Sequence, residues 1–284
     1  MMTARVKNGN VRLLACLVDE EETSDSDYRF LVDGQHVKYV TTEPGVFRGS
    51  DNRNFEPLLL SELLPQFPPG DWNKGHIDRD PETGEAAFVR TEKVQFEGVE
   101  NTWHPVKINE LDLKEQDRVY SRVHISTHPK LNGGKPVLFK LAVWPYEIPW
   151  VEDETAAYQW LKGSGLAPRF LGHVTEGKEG RVIGFVAEWL EDARIALPED
   201  MESCKKALGR LHELGIKHGD VHNPRNFLVR ENGEVLMIDF ESSRRDRPAE
   251  ELEEEMKVLI DSKLEDKFAP VIIEPSSDGE LSSS

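Results

Sequence analysis

Cysteine is nearly absent: the 284-residue chain holds two, Cys16 and Cys204. Two thiols cannot build a disulfide framework, and neither sits in a metal-ligand pattern, so the usage points to a reducing, cytoplasmic interior. Long apolar runs are missing too. No window approaches the roughly 18 consecutive apolar residues of a membrane-spanning helix, so no membrane partner is expected. The opening MMTARVKNGNVRLLACLVDE has only a short apolar patch, Val11 to Val18, and reads as a first strand rather than a cleaved leader. Basic residues are outnumbered, 35 against 53 acidic ones, which leaves a formal net charge of −18. A surface that acidic repels phosphate backbones, so nucleic acid is not an expected partner. Much of the acid is local, in EEETSDSD and EELEEEM, and reads as solvated faces and tails.

What remains is the composition of a soluble folded chain, 38% hydrophobic and 31% charged, long enough for one two-lobed unit or two modest domains. Two strand-like runs, VRLLACLV and YRFLVDGQHVKYV, open it. Residues 46 to about 110 are punctuated by turn formers (LPQFPPGDWNKG, DRDPETGE), yet Phe67, Trp72, Phe88, Phe96 and Trp103 give this region a core to bury. RVYSRVHIST alternates as a strand with Val119, Ser121, Val123 and Ile125 on one face. LNGGK supplies a turn into the strand KPVLFKLAVW, and Pro149 starts a helix that Gly163 and Gly165 stop. A further strand, EGRVIGFVAEWLE, precedes the helix PEDMESCKKALGRLHELG, whose apolar stripe is Cys204, Ala207, Leu208, Leu211 and Leu214, with Gly215 as its C-terminal cap. The loop KHGDVHNPRNFLV, a hairpin around Glu231-Asn232-Gly233, the strand MIDF and an acidic helix from about Pro248 to Lys267 complete the chain before a Ser-rich tail. No internal repeat or long heptad pattern is present.

The chemistry-bearing residues fall in an order that suits phosphoryl transfer, which needs mainly positioning and charge neutralisation. Lys140 lies in the apolar strand VLFKLA, where an ammonium must either snorkel out or meet an anion. Glu154 shares a helix stripe with Tyr158 and Leu161 and could reach inward to fix Lys140; a solvated Glu154 is the alternative. Asp220 in His218-Gly219-Asp220 could orient an acceptor hydroxyl and take its proton, with His218 supporting the loop. Asn226 and Asp239 could give oxygen ligands to Mg²⁺, a hard cation. An isolated H-G-D is ordinary turn chemistry. Followed by Asn, F-L-V, a hairpin and M-I before D-F, it is a far more specific signal.

That run, with LGRLHELG before it, resembles the protein-kinase-like superfamily. The H-G-D form, with His222 two residues on, is similar to aminoglycoside phosphotransferases and other small-molecule kinases. LPQFPPGDWNKGHI, VLFKLA, ETAAYQWL, APRFLGHV and RVIGFVAEWLE resemble small kinase-like proteins of filamentous fungi, covering roughly residues 55 to 245. The resemblance implies an α+β, two-lobed kinase-like fold. Residues 1–110 would form a β-rich extension packed on the small lobe, 111–192 an antiparallel N-lobe, 193–275 a truncated helical C-lobe and 276–284 a disordered tail. It further implies ATP and Mg²⁺ as cofactors, adenine contacts from the backbone of Glu188 to Leu190 in VAEWLE, and a hydroxyl acceptor on a small molecule or a protein.

Three features depart from that family pattern. No glycine occurs in LDLKEQDRVYSRVHIST, where a glycine-rich phosphate loop would lie. Five residues separate Asp220 from Asn226 where kinases place four, and Glu241 follows D-F in place of glycine. Two further readings therefore stand beside an active phosphotransferase. One is a pseudokinase-like module that binds a protein partner; the other is a kinase-like cleft recruited to different chemistry on an activated substrate.

Overall fold

The computed structural model of the chain describes residues 7–47 and 52–266; the expected tail, 276–284, lies outside them. The chain forms two compact units, Met1–Trp160 with Arg169–Trp189, and Leu161–Pro168 with Leu190–Ser284. The fold is α+β.

The first unit holds two sheets. The N-terminal one comprises β1 (Val11–Leu17), β2 (Ser26–Val32), β3 (His36–Thr42), β4 (Lys74–Arg79) and β5 (Ala86–Glu92), in that spatial order, with only β3 and β4 parallel. YRFLVDGQHVKYV, expected as one run, is instead the β2–β3 hairpin. Asp33 (φ 54°) and Gly34 (φ 69°) reverse the chain, and a D-G pair between apolar runs is the local signal for this. NKGHIDR, hidden among turn formers, becomes β4. A short helix α1 (Glu56–Leu58), continued by a π turn over Leu59–Leu63, covers the sheet and buries Leu59 and Leu60 against Tyr28, Phe30, Phe67, Trp72 and Ile77. The aromatic residues singled out from the sequence thus serve mainly as core.

The second sheet contains β6 (Lys107–Asn109), β7 (Lys114–Tyr120), β8 (Val123–Thr127), β9 (Val137–Leu141), β10 (Phe170–Thr175) and β11 (Val182–Glu188), ordered β6-β10-β11-β9-β8-β7. RVYSRVHIST is not one alternating strand. It folds back at Ser121-Arg122 into the β7–β8 hairpin, where the Arg118 guanidinium donates to the carbonyls of Tyr120 (3.4 Å) and Ser121 (3.1 Å) and satisfies a turn that has no glycine. Helix α2 (Ile148–Trp160) packs on β11 through Val151, Glu154, Thr155, Ala157 and Tyr158, spaced for a single helical face. Its entry is fixed by the Glu147 carboxylate, which accepts the Trp144 N–H at 3.0 Å.

A buried polar cluster joins the two sheets. Arg29 of β2 donates both guanidinium arms to Glu110 (2.9 and 2.7 Å) and also reaches Glu176 at 3.0 Å. Tyr39 of β3 donates its hydroxyl to Glu176 at 2.5 Å and accepts from Arg181 at 2.9 Å. Each buried charge has an opposite partner, the condition under which such burial is tolerated.

The second unit is built on α3 (Met201–Glu213) and α4 (Ala249–Ser262), which pack together. Its strands are β12 (Ala193–Ile195), β13 (Ile216–Lys217), β14 (Phe227–Arg230), β15 (Val235–Met237) and β16 (Arg244–Arg245). They pair as a β12-β14-β15 sheet and a β13-β16 ladder. Cys204, Ala207, Leu208 and Leu211 of α3 are buried as expected, but Leu214 is 44% exposed: it is the C-terminal cap, where the chain has already left the helical face. Helix α4 stops at Ser262, short of the expected Lys267, because Lys263 and Leu264 both take left-handed dihedrals (φ 54°).

Candidate active site

In the first unit, the central strand β9 carries Lys140 between β8 and β11, opposite Val123 and Phe185. Its Nζ lies 2.7 Å from Glu154 Oε2 of α2, and the two side chains are 7% and 3% exposed. Snorkelling is therefore ruled out for Lys140, and Glu154 is not a solvated face residue. Glu188 ends β11; its N–H donates to the Arg169 carbonyl at 2.9 Å and its carboxylate pairs with the Arg169 guanidinium at 2.9 Å. The Glu188 N–H is thus already used. The boundary between the units falls after Trp189, inside the VAEWLE stretch.

In the second unit, His218, Asp220, Asn226 and Asp239 come together around one loop. His218 is fully buried. Its Nδ1 accepts the Asp220 N–H at 3.3 Å, so Nε2 carries the proton and donates to the Ile238 carbonyl at 3.1 Å. Burial lowers its pKa despite nearby carboxylates, which keeps the ring neutral and in a supporting position. Gly219 takes φ +93°, and a Cβ there would collide with the Ser242 carbonyl, so only glycine fits between the loop and the segment after Asp239. Ser243 Oγ closes the same contact by donating to the His218 carbonyl at 2.9 Å.

The extra residue between Asp220 and Asn226 is absorbed in a 3₁₀ turn over Pro224–Asn226. Pro224 presets the backbone, and Asn223 caps the turn by accepting the Arg225 N–H at 3.2 Å. The turn brings Asn226 back to the carboxylate: Nδ2 donates to Asp220 Oδ2 at 2.8 Å and to the Asp220 carbonyl at 2.9 Å. Asn223 is the cap and Asn226 the inward-facing residue. The Asn226 carbonyl in turn accepts the Ile238 N–H at 3.0 Å, which ties the loop to the residue before Asp239. Asp239 itself adopts a left-handed conformation (φ 65°, ψ 59°), uncommon outside glycine and frequent where function constrains the chain. Carboxylate oxygens of Asp239 and Glu241 lie within 4.8 Å of each other, a separation that suits hard-cation ligation.

Three further residues at this site have a role that the sequence does not show. His222 Nδ1 lies 3.0 Å from Asp220 Oδ1, so both Asp220 oxygens have partners, Asn226 on one and His222 on the other. Glu255 of α4 is 4% exposed and accepts the backbone N–H groups of His218 (3.0 Å) and Gly219 (2.6 Å), together with His212 Nε2 (2.8 Å). Burial pushes the Glu255 carboxyl up, but these hydrogen bonds outweigh it and hold its pKa below the usual range. Its acidity conceals it among the neighbours in EELEEEM; its one sequence signal is sharing a helical face with Leu252 and Leu259. Glu241, read as a departure from glycine, adds a carboxylate beside Asp239.

A family model, lipopolysaccharide kinase (Kdo/WaaP), matches residues 185–270, a segment that contains every one of these second-unit residues. No curated protein matches the chain. The match covers under a third of the sequence, and over that stretch the chain is similar to kinases.

Proposed function

We propose that the protein is an ATP- and Mg²⁺-dependent phosphotransferase acting on a hydroxyl of a small molecule, with a protein hydroxyl as the less favoured acceptor. The observation that carries this reading is the Asn226–Asp220 contact, made across a loop one residue longer than the kinase pattern. Were the motif kept only as a shell, nothing would require the extra residue to be folded away so that Asn226 regains the carboxylate. The similarity of residues 185–270 to a kinase family supports the same reading.

The donors fit the implied groups. Asn226 gives both Nδ2 hydrogens to Asp220, so Oδ1 is the atom that would meet a metal, with the Asp239 carboxylate as the second ligand. Mg²⁺ bound there supplies neutralisation of charge on the transferring phosphoryl. Asp220, steadied by Asn226 and His222, orients the acceptor hydroxyl and takes its proton as the oxygen bonds to the γ-phosphorus and ADP departs. His218, neutral and buried, holds the Asp220 backbone. In the first unit, Lys140, held by Glu154, would be the cation for the α and β phosphates of a nucleotide. The Glu188 carbonyl and the Leu190 N–H serve the adenine edge.

The test is thermal unfolding with and without Mg-ATP in the parent and in Asp239→Asn, followed by ATP hydrolysis in Asp220→Asn. The reading expects Mg-dependent stabilisation that Asp239→Asn removes, and slow hydrolysis that Asp220→Asn abolishes. Stabilisation by ATP without hydrolysis favours the pseudokinase-like module, for which the glycine-free β7–β8 turn is the specific observation. No stabilisation at all sinks the phosphotransferase reading.

A further inference from the structure

Asn223 caps the turn that absorbs the extra loop residue and Pro224 buries its ring there, but neither carries a charge that could pair with the rest of the second unit. Arg225 does. Its Nε donates to Asp266 Oδ2 at 2.9 Å, and the side chains of the pair are 27% and 24% exposed. We infer that Asp266 is a positioning residue, fastening the inserted turn through Arg225 so that Asn226 stays on Asp220.

The path of the chain after α4 carries a second, independent observation. Lys263 and Leu264 are consecutive non-glycine residues in the left-handed region, each at φ 54°. Such backbone is unfavourable for residues with a Cβ and persists only when its surroundings over-determine it. Here Leu264 is 1% exposed, Ser262 Oγ accepts the Leu264 N–H at 3.1 Å, and the Ser262 carbonyl accepts the Glu265 N–H at 3.1 Å. The strained turn breaks the helix and leads the chain to the catalytic loop, where Asp266 meets Arg225. Helix α4 and its turn thus grip the loop at both ends: Glu255 holds the amides of His218 and Gly219, and Asp266 holds Arg225. An arginine fork suits this task because its planar donors set direction as well as distance.

This inference rests on the phosphotransferase reading, and its test separates the two. Full-length Asp266→Ala, Asp266→Glu, Arg225→Ala and the double alanine variant are compared in Mg-ATP hydrolysis and in amide hydrogen exchange without ligand. Asp266→Ala is expected to lower kcat by roughly 10-fold with the KM for ATP within about twofold, since it misplaces the loop and leaves nucleotide contacts alone. The double variant is expected to be no worse than either single one, and Asp266→Glu to recover most of the activity. Exchange at the Asn226 amide, which donates to the Asn223 carbonyl at 3.1 Å, is expected to quicken in Asp266→Ala at an unchanged urea midpoint. Additive losses, or unaltered exchange at Asn226, would overturn the inference whatever the kinetics. A parent that hydrolyses no ATP removes the phosphotransferase reading, while the exchange comparison still decides the anchoring.

Discussion

Lys140 Nζ stands 2.7 Å from Glu154 Oε2, a charge pair sealed between a central strand and the helix that covers it. Two consequences can be separated. Removing one partner strands a buried charge, so Glu154→Ala is expected to destabilise the protein by about 3–5 kcal/mol in urea unfolding. Replacing both, as Lys140→Met with Glu154→Leu, is expected to return stability close to the parent while abolishing stabilisation by Mg-ATP. A double variant that still responds to Mg-ATP would show that Lys140 does not meet the nucleotide.

Gly219 offers a sharper steric test. With φ at +93° and the Ser242 carbonyl in the space a Cβ would occupy, Gly219→Ala must displace either the loop or the segment after Asp239. The expected outcome is a stability loss of roughly 2 kcal/mol or more together with loss of ATP hydrolysis. Gly209, which lies in α3 with open space around its Cα, is the control: Gly209→Ala is expected to stabilise by up to about 1 kcal/mol. Equal effects at the two positions would contradict the packing described here.

Acid sensitivity should trace largely to buried histidine. His173 of β10 is fully buried, its Nε2 accepts the His104 N–H at 3.1 Å, and burial chiefly, with His104 and Lys107 nearby, brings its pKa down to about 4. The unfolded chain, with an ordinary value near 6.5, therefore binds a proton that the native state refuses between pH 6.5 and about 4. Stability is complete above that window and falls as the pH drops through it, by about 2 kcal/mol at pH 5. Urea unfolding at pH 7.5 and pH 5 measures the difference, and His173→Gln is expected to shrink it by that amount. A variant with the full pH dependence of the parent would shift the origin to His218, whose pKa is also lowered by burial.

Reading by residue type succeeded wherever chemistry and periodicity were local. The stripe of Glu154 and Tyr158, the apolar face of α3 and the hairpin after Asn226 follow from spacing alone, because a helix or hairpin places neighbours by geometry that the chain carries with it. The same habit failed at turns. RVYSRVHIST alternates well enough to pass for one strand, and the reversal at Ser121-Arg122 is invisible because Arg118 rather than a glycine satisfies the turn carbonyls. YRFLVDGQHVKYV failed in the opposite sense, since its Asp-Gly turn was present and outweighed by the apolar residues on either side.

The order Lys140, Glu154, His218-Gly219-Asp220, Asn226 and Asp239 is a property of the sequence, and with it came the kinase-like α+β expectation. Two matters lay beyond it, and both depend on contacts between residues far apart in the chain. Whether the lengthened loop returns Asn226 to Asp220 turns on where Asn223, Pro224 and Arg225 are held, and Arg225 is held by a residue 41 positions later. Whether an acidic helix is a solvated face or a brace turns on one carboxylate, Glu255, being buried against the backbone amides of His218 and Gly219 while its neighbours face water. Composition could not distinguish that carboxylate from the others beside it, because burial and hydrogen bonding arise only when α4 packs against α3 and the loop.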